Sequence, residues 1–189
     1  KVLSSAVLHG GLQKANALLN MRVEKHSPLP CLAPEKTLLN KAEELALPSP
    51  TVGMMTAASM KSLGQHIEKR GDLTVECWVT SGLSNVRRVG DKADDKTEPG
   101  TINICLHINQ ALSDSALAEA LILLTESKVT AIRDTDIISP VSGLPASGTG
   151  TDSHAVFCPD AEPQHHYCGK HTTLGELSAA LYLRPVQPV

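Results

Sequence analysis

Two glycine-rich segments hold the residue types that could do chemistry. Gly148-Thr149-Gly150-Thr151-Asp152 puts two glycines, two hydroxyls and a carboxylate in a row. Glycine lets the backbone turn sharply and lets a ligand approach amide N–H groups. Asp152 begins or precedes a strand, which would hold its carboxylate at a sheet edge. The alternative is a tight turn in which Asp152, Thr149 and Thr151 satisfy nearby backbone groups. In the second segment, Gly169 to Glu176, Thr173-Leu174-Gly175-Glu176 fits a capping box and marks a helix start. Lys170 and His171 stand just before it, where free N–H groups and the helix dipole favour an anion or a developing oxyanion. His171 has the neutral-range titration of a general acid or base. Both residues could equally be exposed loop.

Thr80-Ser81-Gly82-Leu83-Ser84-Asn85 resembles a nucleophile elbow, but Val86 stands where the second glycine belongs. Ser84 is therefore a weak nucleophile, whereas Asn85 could orient a carbonyl or donate to an oxyanion. Glu126 and Lys128 are two residues apart on a helix and do not share a face. Glu126 is a candidate acid or base if it points inward. The histidines His154, His165, His166 and His171 match no standard metal spacing, so neither a metal nor another cofactor is expected.

The 189 residues are 41% hydrophobic and 20% charged, with a formal charge of −3, which suits a globular chain. Basic residues are not clustered, against a nucleic-acid binder. No apolar run approaches the ~18 residues of a membrane span. Aromatics are only 2%, so the core must be aliphatic and stacking platforms for bases nearly absent. Five widely spaced cysteines form no CxxC pair, and a reducing, cytoplasmic setting is expected.

The elements that must position these residues follow from pattern. Val2 to Val7 reads as a strand ending at Gly10-Gly11, and Leu12 to Val23 as a helix. Pro28, Pro30 and Pro34 mark a loop before a helix over Glu35 to Leu47. Thr51 to Ala58 reads as a buried strand. Lys61 to Glu68 and Leu73 to Thr80 form a hairpin about Lys69-Arg70-Gly71-Asp72, followed by a charged loop from Asp91 to Gly100. Thr101 to Ile108 is an alternating strand, and Ser113 to about Thr135 a helix whose centre, Ala116 to Leu124, is apolar almost all round. Ile137 to Ser147 and Pro159 to Cys168 are loops. Thr151 to Phe157 is a strand, and Leu174 to Leu183 a helix stopped by Pro185 and Pro188. The expected class is α+β, a single domain over 1–189, with a mixed, mostly antiparallel sheet and helices packed against it.

Several segments in order carry a resemblance over nearly the whole chain. They are Ser4-Ser5-Ala6 with Gly10-Gly11, Thr51 to Ala58, Thr80 to Asn85, Gly100 to Ile104, Thr125 to Lys128, Gly148 to Asp152 and Gly169 to Glu176. Together they resemble the adenosylcobinamide amidohydrolase family of corrinoid salvage. The resemblance implies hydrolysis of the amide joining the aminopropanol arm to the corrin ring, giving adenosylcobyric acid and 1-amino-2-propanol. The implied partner is a small-molecule corrinoid, with no nucleic acid and no membrane; a homo-oligomer is left open. Matched segments would line the site, including Thr56, Ser84, Asn85, Asn103, Glu126, Gly148 and Gly150.

In the expected mechanism Asp152 or His171 activates water, and Lys170, Asn85 and N–H groups of the last helix stabilise the oxyanion. Thr149 or Thr151 is the alternative nucleophile. Departures are His9 before Gly10-Gly11 and Ser153-His154 after Asp152. Family members usually start earlier, which implies a strand ahead of Lys1. Two other readings stay open: a corrinoid-binding protein without turnover, and an amidohydrolase of a different small molecule.

Overall fold

The computed structural model of the chain describes residues 1–24, 33–95 and 100–183, with side chains to residue 180. The expectations for Pro28, Pro30 and Cys31, for the middle of the charged loop and for Pro185 and Pro188 lie outside the described residues.

The described residues form ten strands and three helices, in the order β1 (Val2–Ser4), β2 (Gly11–Gln13), β3 (Ala17–Arg22), α1 (Pro34–Glu44), β4 (Thr51–Thr56), β5 (Gly64–Arg70), β6 (Leu73–Ser81), β7 (Val86–Arg87), β8 (Ile102–Ile108), α2 (Asp114–Arg133), β9 (Gly148–Thr149), β10 (Ser153–Phe157) and α3 (Thr173–Leu183). The main sheet has the order β2-β1-β10-β8-β6-β5. Its only parallel neighbours are β10 and β8, the pair that α2 connects, because a parallel pair needs a long crossover. The α+β class with a mixed, mostly antiparallel sheet is therefore the observed one.

Alternation on the central strands decides what covers each face. Val75, Cys77 and Val79 of β6 and Ile102, Ile104, Leu106 and Ile108 of β8 pack with Ala116, Leu117, Ala120 and Leu124 of α2 and Leu174 and Leu177 of α3. The opposite face, with Cys105, Ala155, Trp78 and Phe157, meets Leu18, Val52 and Met54 of a separate parallel pair, β3–β4. Helix α1 closes that second sheet from outside. A side chain added at Gly53 would meet Leu38 methyls at 3.3 Å, so glycine there sets the helix-to-strand distance.

The segment expected as a helix over Leu12 to Val23 is instead β2 and β3. Pairing of Ala17 to Arg22 with Thr51 to Thr56 overrides local preference. Strand β1 also ends earlier than expected, and a 3-10 turn at Met60–Ser62 precedes β5. The Arg70-Gly71-Asp72 hairpin is present, with Gly71 at φ +57° as a two-residue turn demands. Helix α2 is not buried all round, since Ile122 remains 61% exposed. The cap of α3 is Thr172 rather than Thr173: its Oγ1 accepts from Gly175 N at 2.9 Å.

Candidate active site

Strands β1, β4 and β6 end, and β8 and β10 begin, at the same end of the two sheets. Antiparallel pairing sets Thr80 opposite Asn103, and parallel pairing sets Asn103 beside Ser153. The Ser4-Ser5 end of β1 follows, with Ser5 Oγ accepting from His154 N at 3.0 Å. Segments far apart in the chain thus gather there: Ser4-Ser5, Thr56, Thr80 to Asn85, Gly100 to Asn103 and Gly148 to Asp152.

Asp152 is the hub of this end. Its carboxylate accepts from Ile102 N at 3.1 Å, from Thr149 N at 3.1 and 3.2 Å, and from Thr149 Oγ1 at 2.5 Å. Lys128 Nζ of α2 completes the set at 2.6 Å. Both side chains of the ion pair are only 8% exposed. A carboxylate has about four lone-pair sites, and these donors occupy them. Asp152 therefore anchors the glycine-rich loop, and the half-buried Thr149 hydroxyl is held against it.

Gly148 leaves no room for a side chain, because a Cβ would collide with Asp152 Oδ2. Gly150 N donates to Asn85 O at 3.1 Å, and a Cβ at Gly150 would lie 2.7 Å from Asn85 Nδ2. Thr151 Oγ1 donates to Gly100 O at 3.0 Å and meets Thr101 Oγ1 at 2.7 Å. Ser84 stays exposed at the rim, where a Cβ on Gly100 would approach its Oγ to 3.0 Å. Asn85 is buried beneath it.

A second polar cluster bridges the two sheets. Asn103 Nδ2 donates to Asn20 Oδ1 and to Met55 O, both at 2.8 Å. Asn20 Nδ2 in turn donates to Thr80 Oγ1 at 3.0 Å. Thr56, also buried, accepts from Ala58 N at 3.1 Å and shapes the end of β4. Asn103 Oδ1 has no hydrogen-bond partner among the described residues.

His154, two residues beyond Asp152, faces the α2 side. Burial pushes its pKa down to about 4; the Lys128 ammonium lowers it further and the Asp152 carboxylate partly offsets this. The imidazole is therefore neutral at pH 7.

Lys170 and His171 are not part of this arrangement. Both are exposed, and Lys170 Nζ pairs with Glu126 of α2. Residues 126 and 128 of a helix point about 200° apart, so α2 stands between the Asp152 hub and the Gly169-Lys170-His171 segment. Glu126 faces solvent, and Glu176 takes a bidentate pair from Arg70 at 2.7 and 2.8 Å. Among the described residues, no three His, Cys, Asp or Glu side chains are grouped to hold a metal ion.

In the sequence, Lys128 and Thr80 stand within matched segments without an assigned role, and Asn20 stands in none. Only Lys128 carried a signal, as a lone cation between Ser127 and Val129 on an apolar helix. Asn20 and Thr80 are polar residues in strand-forming runs, and nothing local says that they meet.

A hydroxyl held on a carboxylate that is itself paired to a buried ammonium is equipment suited to nucleophilic cleavage of an acyl bond. The family model for adenosylcobinamide amidohydrolase matches residues 1–187, and the chain belongs to that family. It is 33% identical over 176 residues to the uncharacterized protein MJ1613 of Methanocaldococcus jannaschii, covering 80% of this chain and 66% of that protein's length. It is 30% identical over 181 residues to the adenosylcobinamide amidohydrolase of Methanosarcina mazei, covering 91% of this chain and 81% of that one.

Proposed function

We propose that the chain cleaves the amide between the aminopropanol arm and the corrin ring of adenosylcobinamide, releasing adenosylcobyric acid and 1-amino-2-propanol. The observation that carries the reading is the Thr149–Asp152–Lys128 chain of contacts, 2.5 and 2.6 Å long, in a member of an amidohydrolase family. Thr149 Oγ1 attacks the amide carbonyl carbon, and its proton passes to Asp152. Collapse of the tetrahedral species breaks the C–N bond as Asp152 returns the proton to the leaving amine. Water then cleaves the Thr149 ester, freeing the carboxylate product. The Lys128 ammonium keeps Asp152 oriented throughout. Asn85, at the base of the same loop, supports the polarised carbonyl oxygen, while Gly148 and Gly150 let the loop close on Asp152 and Asn85.

A route in which Asp152 activates water directly is less well supported, because donors fill both carboxylate oxygens. Lys170 and His171 take no step in this scheme. The reading includes a reducing, cytoplasmic setting, supported by four buried, unpaired thiols among the described cysteines.

Incubation with adenosylcobinamide and mass analysis for adenosylcobyric acid tests the activity. Thr149→Ala lowers turnover by at least about a hundredfold, whereas His171→Ala leaves it near that of the parent. No product from the parent chain sinks the proposal; full turnover by Thr149→Ala moves the chemistry to water.

A further inference from the structure

The chain has one Trp, one Phe and two Tyr, and the Trp and the Phe sit side by side on one sheet face. Trp78 of β6 and Phe157 of β10 have ring centroids 6.3 Å apart and planes within 11°. His107 of β8 extends the row, 5.0 Å from Phe157. An aliphatic core does not need aromatic rings, yet here they are concentrated at a half-buried place. They wall a cavity of about 470 Å³ between the main sheet and β3–β4, with Leu18, Val52 and Met60 opposite and Asn20 at its inner end.

Its dimensions and chemistry select a ligand class. The volume lies in the range that small ligands fill, ~300–1,000 Å³. Two sheets packed about 10 Å apart admit a flat ring edge-on but exclude a macrocycle carrying a crown of amide arms. The lining is mainly apolar. Its one charged side chain among the described residues, Lys1, is turned to Asp114 at 3.1 Å. Such a slot suits a neutral planar heterocycle and disfavours a phosphate. At the rim, Asn16 donates through Nδ2 to Ser49 O at 2.5 Å. That bond fixes which way the amide points, leaving Oδ1 as an acceptor for an exocyclic amine.

The geometry points to this inter-sheet slot as a site for a purine base, stacked on the Trp78–Phe157 row with its amino group at Asn16. It rests on the function proposed above, in which the base is the adenine of the substrate's adenosyl group. Asn20 links the slot to Thr80 and Asn103, and so to the end of the sheets where Thr149 lies. The slot would therefore distinguish adenosylated corrinoids from those carrying a small upper ligand.

Free adenosine is the probe, and the lone Trp78 is the reporter. Titration is expected to change Trp78 fluorescence saturably, while ribose alone leaves it unchanged. By equilibrium dialysis, Phe157→Leu is expected to weaken adenosine about tenfold, consistent with loss of a base stack. Asn16→Ala, at an exposed position outside both core clusters, is expected to weaken adenosine while sparing inosine, which lacks the amine. No saturable change, or equal adenosine binding by parent and both variants, overturns the site. Corrinoid turnover is scored separately: adenosine binding without any hydrolysis keeps the slot and removes the proposed function. Hydrolysis without adenosine binding does the reverse.

Discussion

Lys128 and Asp152 form an ion pair of 2.6 Å in which each side chain keeps only 8% of its exposure. The pair ties the C-terminal half of α2 to the residue just ahead of β10, and the glycine-rich loop hangs from it through Thr149. Burial of two charges is costly, and the mutual attraction plus the extra hydrogen bonds must offset it.

Removal of either partner should therefore be expensive. Lys128→Ala and Asp152→Ala are each expected to lose about 3–5 kcal/mol, read as a lower urea midpoint at unchanged slope. The double variant carrying Lys128→Ala and Asp152→Ala should lose clearly less than the two single losses added. Strict additivity would show that the two side chains are not coupled.

Gly148→Ala tests the same place through backbone space. The new methyl would collide with Asp152 Oδ2 and lie 3.0 Å from Lys128 Nζ, neither of which can withdraw into solvent. A loss of about 1–3 kcal/mol is expected, as for other overpacked sites, together with loss of turnover. A Gly148→Ala protein as stable and active as its parent would contradict the packing described.

His154 predicts an acid sensitivity with a defined window. The unfolded chain binds a proton near 6.5, while the folded site does not until about 4. Between those values the unfolded state holds more protons, so stability falls as pH drops. The contribution is complete above 6.5 and lost below 4, about 3 kcal/mol in all. Denaturant midpoints measured across this window should flatten in His154→Leu relative to the parent, leaving only the slope contributed by other groups.

Cysteine labelling provides a check on the core. Burial pushes the Cys77 and Cys105 thiols up to about 12, so neither is a thiolate at neutral pH. Peptide mapping after alkylation of the native protein should find both unmodified, and both labelled once urea unfolds the chain. Rapid native labelling of Cys77 would show that β6 opens readily.

Local patterns were sufficient for much of the frame. Strand β8 alternates Ile102, Ile104, Leu106 and Ile108 against Asn103, Cys105 and His107, and the helical spacing of Ala116, Leu117, Ala120 and Leu124 marks α2. The hairpin at Gly71-Asp72 is likewise written in a turn that few residue pairs can make. Where the signal was short it misled: Ala17 to Arg22 has no long-range information in it, and its partner β4 begins beyond α1. The capping box at Thr173 and Glu176 was also misplaced, since Thr172 can reach Gly175 N and Glu176 is drawn away by Arg70.

By itself, the order of residues determined the α+β class, the family resemblance and the residue types available for chemistry, because strand alternation, helix spacing and short motifs act over a few neighbours. Only the tertiary structure decided which of those residues meet. Two positions on α2 so close as Glu126 and Lys128 part company because a helix turns them to opposite sides. Asp152, Thr149 and Lys128 come together because β8, α2 and β10 form one crossover, which returns the loop ahead of β10 to the flank of the helix. Trp78 and Phe157, 2 of the chain's few aromatic residues, become neighbours only through the β6-β8-β10 register. Such proximity comes from non-local hydrogen bonding between strands, and no window along the chain contains it.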